Sequence, residues 1–315
     1  FFGRIGSSTI GISSVKAEAP ATKAVTEETS QVTLEDGSVF TIHKTIEPYT
    51  TEPQTKAVIK KAEDINSFTL YGYLDAAELA KAEGADPNDR NNPNFIAGAG
   101  VTKDGSVWHI DGDNYWRNGI THYFWAQSGA AGMTTTANSA SFTKAANSDE
   151  DILVAYASKK WYEHSGSDHS SDNLDINFKH ALSAAKFERG TINYIQRETT
   201  APVQEGRIIL EKINLLRMTG GKCSVTSDMD FKWEDIAKIG AEEIGIDETI
   251  LSIPQETAAL ELYYKDTYRT TNKPAIISLN DHWKAGNMYT YTINGTVSVP
   301  KLNEEAKEGE GIKLH

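Results

Sequence analysis

Cysteine is almost absent from this sequence: Cys223 is alone among 315 residues. No internal disulfide can staple the chain, and no cysteine-based zinc site can form. Long apolar runs are missing too, since nothing approaches the ~18 residues that a membrane-spanning helix needs. Positive charge is in deficit, with a formal net charge of -13. A phosphate-binding face needs clustered Lys and Arg, so nucleic acid is excluded as an expected partner, and an anionic membrane surface would repel the chain. Gly-x-Ser-x-Gly, His-Glu-x-x-His and phosphate-loop patterns are all lacking, so nothing argues for an enzyme, a metal or a cofactor. There is no initiator Met either: the chain begins Phe1-Phe2-Gly3-Arg4 with no recognisable signal peptide, as expected of a processed or trimmed form.

What is present is an ordinary globular composition, 39% hydrophobic and 24% charged, in a chain long enough for about two domains. Short segments with a period of two dominate it. Phe40, Ile42 and Ile46 share one parity of 38–47, as do Phe68, Leu70 and Leu74 of 66–74. Ile152, Val154 and Tyr156, the run Leu174-Asp-Ile-Asn-Phe178, Leu260, Leu262 and Tyr264, and Tyr289, Tyr291 and Ile293 repeat the pattern. A period of two puts one set of side chains on one sheet face, so these read as half-buried strands. Clusters of Gly, Asn, Asp and Pro separate them, which argues for antiparallel β-sandwiches. Helical signals are few: a capped start at Asp75 predicts a short helix over 76–83, and 233–244 is a second candidate.

Composition suggests the following organisation. Residues 1–37, thin in large apolar groups, read as a mobile arm. Residues 38–163 form a first sandwich, the wholly polar 164–173 a solvated linker, and 174–302 a second sandwich. The charged 303–315 is a solvated tail.

Few clusters carry chemistry. His164, Asp168, His169 and Asp172 hold metal-ligand residue types, but a Ser/Gly-rich loop offers little support to hold them in place. Asp111-Gly-Asp113-Asn114 lacks the spaced carboxylates of a calcium loop and reads as a turn. Glu242 and Glu243 are adjacent, on a predicted helix that would point them apart. Trp116 and Trp125, within an aromatic group that includes Trp108, Tyr115, Tyr123 and Phe124, are candidates for stacking on a ligand. Core packing is the stronger reading for residues of this size.

The order of segments resembles the Bacteroidales fimbrillin-like, or type V pilin, family. Thr55-Lys56-Ala57, then Ile65-Asn-Ser-Phe-Thr-Leu-Tyr-Gly-Tyr73, is similar to its opening element and first strand. Tyr115-Trp116, Tyr123-Phe-Trp-Ala126 and Asp151-Ile-Leu-Val-Ala-Tyr-Ala157 follow in family order. Leu174-Asp-Ile-Asn-Phe-Lys-His-Ala-Leu-Ser183 is the most specific match, and Ile253-Pro-Gln255 and Trp283-Lys-Ala-Gly-Asn-Met-Tyr-Thr-Tyr-Thr-Ile293 close the series. The resemblance implies two transthyretin-like sandwich domains, export as a lipoprotein, a place on the outer membrane or in a pilus, and other pilus subunits as partners. The lipid-bearing cysteine of the family is absent here, and the end, Gly295-Thr-Val-Ser-Val299 before an acidic stretch, departs from the family's strand-rich close.

The resemblance also implies a mechanism. A protease cuts after a basic residue, here Lys56, and the native first strand leaves; residues 38–47, with Phe40, Ile42 and Ile46 as the buried face, are the expected strand. A strand from another subunit then completes the sheet. Tyr289, Tyr291, Ile293, Val297 and Val299 share one parity and form the candidate donor, with Gly295 as a bulge or bend; if the chain bends there, Val297 and Val299 pair within the same subunit. The rival readings are a non-polymerising surface lipoprotein that binds a glycan or host protein, and, more remotely, a hydrolase on a sandwich scaffold.

Overall fold

The computed structural model describes residues 8–18, 25–35, 37–48, 62–83, 95–145, 150–163, 172–196, 206–215, 218–238, 242–254, 259–265, 275–279 and 282–299. The architecture is all-β, in stacked sheets, with one short α-helix among the described residues. The first sheet has seven strands: β1 (Gly11–Glu18), β4 (Ser67–Leu74), β5 (Ile96–Asp104), β6 (Val107–Ile110), β7 (Thr121–Ser128), β10 (Leu153–Lys160) and β11 (Asn173–His180). Their order is β1-β11-β10-β7-β4-β5-β6, antiparallel throughout except for the parallel pair β1–β11. The alternation legible in 66–74 and 174–178 sets the buried face: Phe68, Leu70, Leu174, Ile176 and Phe178 join Trp116, Phe124 and Trp161 in one core. The helix α1 (Ala76–Glu83) follows β4 and is capped as expected, the Glu78 amide donating to the Asp75 carboxylate at 2.9 Å.

A four-stranded sheet, β15-β14-β9-β8, covers the other face of the first. Its strands come from both halves of the chain: β8 (Ala131–Thr135) and β9 (Ser139–Lys144), then β14 (Met218–Thr226) and β15 (Phe231–Lys238). Consecutive residues of β7 therefore enter different cores, Phe124 and Ala126 one, Trp125 the other. A sheet covered on both faces reads as a continuous apolar run, which accounts for Tyr123-Phe-Trp-Ala126. Because β9 pairs with β14, the division at 163/174 does not follow the sheets. Residues 164–171 lie outside the described residues, but Asp172 is buried and Asn173 opens β11, so the end of the expected linker is part of the fold.

The third sheet has nine strands along the path β19-β18-β13-β12-β20-β3-β2, with β16 paired to β13 and β17 to β12. They are β2 (Thr26–Thr33), β3 (Val39–Pro48), β12 (Ser183–Gln196), β13 (Gly206–Leu215), β16 (Glu242–Ile244), β17 (Thr249–Ser252), β18 (Ala259–Lys265), β19 (Ala275–Ser278) and β20 (Asn287–Val299). Phe40, Ile42, Phe187, Leu262, Trp283 and Tyr291 lie in its core.

Three expectations change. Within the expected mobile arm 1–37, the described segments Gly11–Glu18 and Thr26–Thr33 are sheet strands, β1 and β2. Residues 39–48 sit in the sheet of the second half, beside β20, and not in that of the first. Trp233 to Lys238 is strand, and Glu242–Ile244 a short strand of its own. Local helix propensity there yields to tertiary packing: Trp233 pairs with Cys223 and meets the Phe142 ring edge-on at 5.8 Å.

Candidate functional site

The segment before residue 49 meets the rest of the chain along two seams, one in each large sheet. At the first, β1 runs parallel to β11, with Gly11 opposite Asn173 and Glu18 opposite Lys179. Ile10 and Ile12 are buried in the first core. Ser13 and Ser14 both donate to the Asp175 carboxylate, at 2.8 and 2.5 Å. Those hydroxyls, Ser14 foremost, hold the Asp175 carboxyl below its ordinary pKa. Two backbone bonds extend the seam, from the Ile10 amide to the Asn114 carbonyl at 2.9 Å and from the Trp116 amide to the Ser8 carbonyl at 3.2 Å.

At the second seam, β3 lies antiparallel to β20 from Asn287↔Pro48 to Thr296↔Val39. Cross-strand partners share a face, so the inner row reads Ile46 over Tyr289, Lys44 over Tyr291, Ile42 over Ile293 and Phe40 over Gly295. Phe40 is fully buried and Ile42 nearly so, and Ile46 packs at the margin. Lys44 is the exception in an apolar row. Its side chain is only 11% exposed, and its Nζ sits 2.6 Å from Glu28, its register partner on β2. The hairpin β2–β3 thus brings the counter-charge for its own lysine. A cleft of about 340 Å³ beside it is lined by Glu28, Lys44, Leu279 and Tyr291.

The sequence-derived donor strand is an internal strand. β20 is continuous through Gly295, parallel to β12 on one side and antiparallel to β3 on the other. Val297 is buried opposite Tyr194, and the backbone of Val299 pairs with that of Gln196, so the end of β20 stays within the subunit without a bend at Gly295. Tyr289 and Tyr291 are anchored: the Tyr289 hydroxyl donates to the His282 carbonyl at 3.1 Å and accepts from the Lys284 amide at 2.8 Å. The Trp283 indole donates to the Tyr291 hydroxyl at 2.7 Å.

The candidate ligand aromatics are core residues, not surface ones. Trp116 and Trp125 are both fully buried. The Trp116 indole donates to the Asp172 carbonyl at 2.7 Å and the Trp125 indole to that of Thr136 at 2.8 Å, as buried indoles require. Asp172, one of the linker residues with metal-ligand chemistry, accepts from the Trp161 indole at 2.7 Å, while His164, Asp168 and His169 lie outside the described residues. Among the described residues no group of His, Cys, Asp or Glu could hold a metal. The turn at Asp111 is closed by Asn114 donating to the Asp111 and Gly112 carbonyls, with Gly112 at a φ of 83 that favours glycine. Cys223 is buried, and burial pushes its thiol up to about 12. Lys56 lies outside the described residues. Sequence reasoning missed β1 as a strand; its one signal was the parity of Ile10 and Ile12.

Comparison with known proteins gives these seams a boundary. The fimbrillin-like family pattern matches residues 55–307, most of the chain. The chain belongs to the fimbrillin-like family. Membership places it among pilus-related proteins. All three strands of the N-terminal segment precede the family match, whereas every strand they pair with across the seams lies inside it. No curated protein matches this fimbrillin-like sequence. Among solved structures, it is similar to a candidate cell adhesion protein from Bacteroides uniformis, at 14% identity and a TM-score of 0.44, over 78% of this chain and 91% of that one. It is also similar to a fimbrial protein from Bacteroides ovatus, at 11% identity and a TM-score of 0.30, over 75% and 45%.

Proposed function

We propose that this fimbrillin-like protein is a structural or accessory subunit of a bacterial surface pilus, exported to the cell surface, where it supports adhesion. In this reading a protease cuts at Lys56, the strands upstream leave, and strands from other subunits take their places. The observation that carries it is the placement of β1 and β3. β1 completes a sheet built otherwise from the family-matched region, the hairpin of β2 and β3 completes a second, and all three strands are covalently joined to that region only through the chain between Pro48 and Ala62, which contains Lys56. One cut there severs the covalent link at both seams. A sheet deprived of β3 presents the unpaired backbone donors and acceptors of β20, and an incoming strand satisfies them. The transthyretin-like form of the sandwiches and a lipid anchor at the outer membrane are further parts of the proposal, supported by the family resemblance.

The expected strand assignment is revised in one respect. Residues 38–47 complete the second half's sheet, and β1 is the removable strand of the first half's. A donor role for Tyr289–Val299 would require pulling a central strand out between two neighbours, so β20 serves better as an acceptor. With Trp116 and Trp125 buried, nothing favours a glycan-binding reading through them.

Limited trypsin treatment of the purified chain tests the proposal. Loss of the N-terminal segment followed by SDS-resistant ladders is the expected outcome, with the combined Lys56→Gln, Lys60→Gln and Lys61→Gln chain, which removes every lysine between Pro48 and Ala62, delaying both. Clean trimming to a persistent monomer would contradict it.

A further inference from the structure

Resting on the strand-release reading above, we propose that the edge of β20 facing β3 is a register-selective acceptor. It takes an antiparallel strand of another subunit only when that strand places an aromatic side chain over Gly295 and an aliphatic one over Ile293.

The inference starts from the one missing side chain in the row. Tyr289, Tyr291 and Ile293 fill the inner face of β20, and at the next inward position there is a glycine. Its φ is not one that demands glycine, so the reason is space. A Cβ on Gly295 would stand 2.8 and 3.0 Å from the Phe40 ring and 3.2 Å from the Val39 carbonyl. The ring lies over the glycine and is fully buried. An aromatic ring laid over a cross-strand glycine is a known way to pin register, because it restores the burial that the glycine forfeits. A shift of one residue would turn Phe40 to the opposite face, and a shift of two would drive its ring onto Ile293 or Val297.

The acceptor side is held independently of β3. At the edge of β20 facing β12, the bulge of β12 between Arg189 and Ile192 is locked by Asn294, whose side-chain oxygen accepts from the Thr191 amide at 2.9 Å. Asn294 is the immediate neighbour of Gly295, so the glycine's place along the sheet is fixed from the far side. The hydroxyl anchors of Tyr289 and Tyr291 fix the other end. The edge is therefore preorganised, and an incoming strand is read against a rigid template. The position over Tyr291 is less demanding: there the resident Lys44 is neutralised by Glu28 from the adjoining strand. The matching partner is an extended segment of the pattern aromatic-x-aliphatic-x-any-x-aliphatic, antiparallel to β20.

The test uses the full chain with a specific protease sequence placed between residues 49 and 61, cut after folding. The probe is a fluorescent synthetic peptide of residues 26–48, in excess, with incorporation followed by size exclusion. The wild-type peptide should enter the cut protein. A Phe40→Ala peptide should enter at least about a hundredfold more weakly, and a Phe40→Trp peptide should retain most of the binding. In a Gly295→Ala chain the order should narrow or invert, since the new methyl obstructs the ring and fills the space that Phe40→Ala leaves empty. Equal entry of the wild-type and Phe40→Ala peptides would overturn the register claim while leaving strand release intact. Release of the native segment with no peptide entering would overturn the acceptor. A native segment that never leaves the cut chain, even in mild denaturant, would overturn strand release itself, and the acceptor with it.

Discussion

His122 shows how strongly single positions are constrained in this molecule. Its ring is buried between Trp116 at 4.8 Å, Phe95 at 5.6 Å and Phe124 at 6.2 Å. The Arg117 amide donates to its Nε2 at 3.1 Å, so Nδ1 carries the proton, 3.0 Å from the Ile120 carbonyl. Burial, foremost, lowers its pKa from 6.5 to about 4. The unfolded chain therefore takes up a proton before the folded one does as pH falls. His122 contributes no penalty above pH 6.5, and stability declines from there toward pH 4, by on the order of 3 kcal/mol. Thermal unfolding measured from pH 7 to 4 should show this decline, and His122→Gln, which keeps a donor and an acceptor, should flatten it. Cys223 gives a second residue-scale prediction. With the thiol pushed up to about 12 by burial, the native protein should resist iodoacetamide at pH 8 and react fully once unfolded.

Elements add up from such positions, and the alternation of apolar residues made most of them legible. The strands at 66–74, 174–178 and 288–293 lie where the period of two put them, and α1 matches the helix expected at 76–83. What the alternation could not carry was pairing. Phe40 and Ile42 announce a strand, but nothing local says that its partner is β20, some 250 residues along the chain, and not β4. β1 and β2 escaped notice because they are edge strands: the residues of β2 are nearly all exposed, and Ser, Thr and Glu suffice there. Trp233–Lys238 misled for the opposite reason, since its helical composition is overruled by pairing with β14 and by the packing of Trp233 on Phe142 of β9. The Lys44–Glu28 pair and the Phe40–Gly295 contact could not be read before the register was known. At this scale, Phe40→Ala should destabilise the intact chain by about 3–5 kcal/mol in denaturant unfolding, as expected for a fully buried ring. A loss below about 1 kcal/mol would mean that β3 is not packed as described.

Taken whole, the molecule is a body of three sheets with an N-terminal segment set into two of them. The four-stranded sheet, shared by β9 and β14, ties the two halves of the body together without help from that segment. The body's own cores are extensive, so removal of β1, β2 and β3 should open two edges while the rest of the packing persists. Hydrogen exchange, followed residue by residue before and after a single cut between residues 49 and 61 and removal of the freed segment, tests this most directly. The account predicts that alternate amides of β20 and β11, those facing β3 and β1, lose protection while the amides bonded to β12 and β10 keep theirs. Unchanged protection along both strands, or its loss throughout the body, would contradict it.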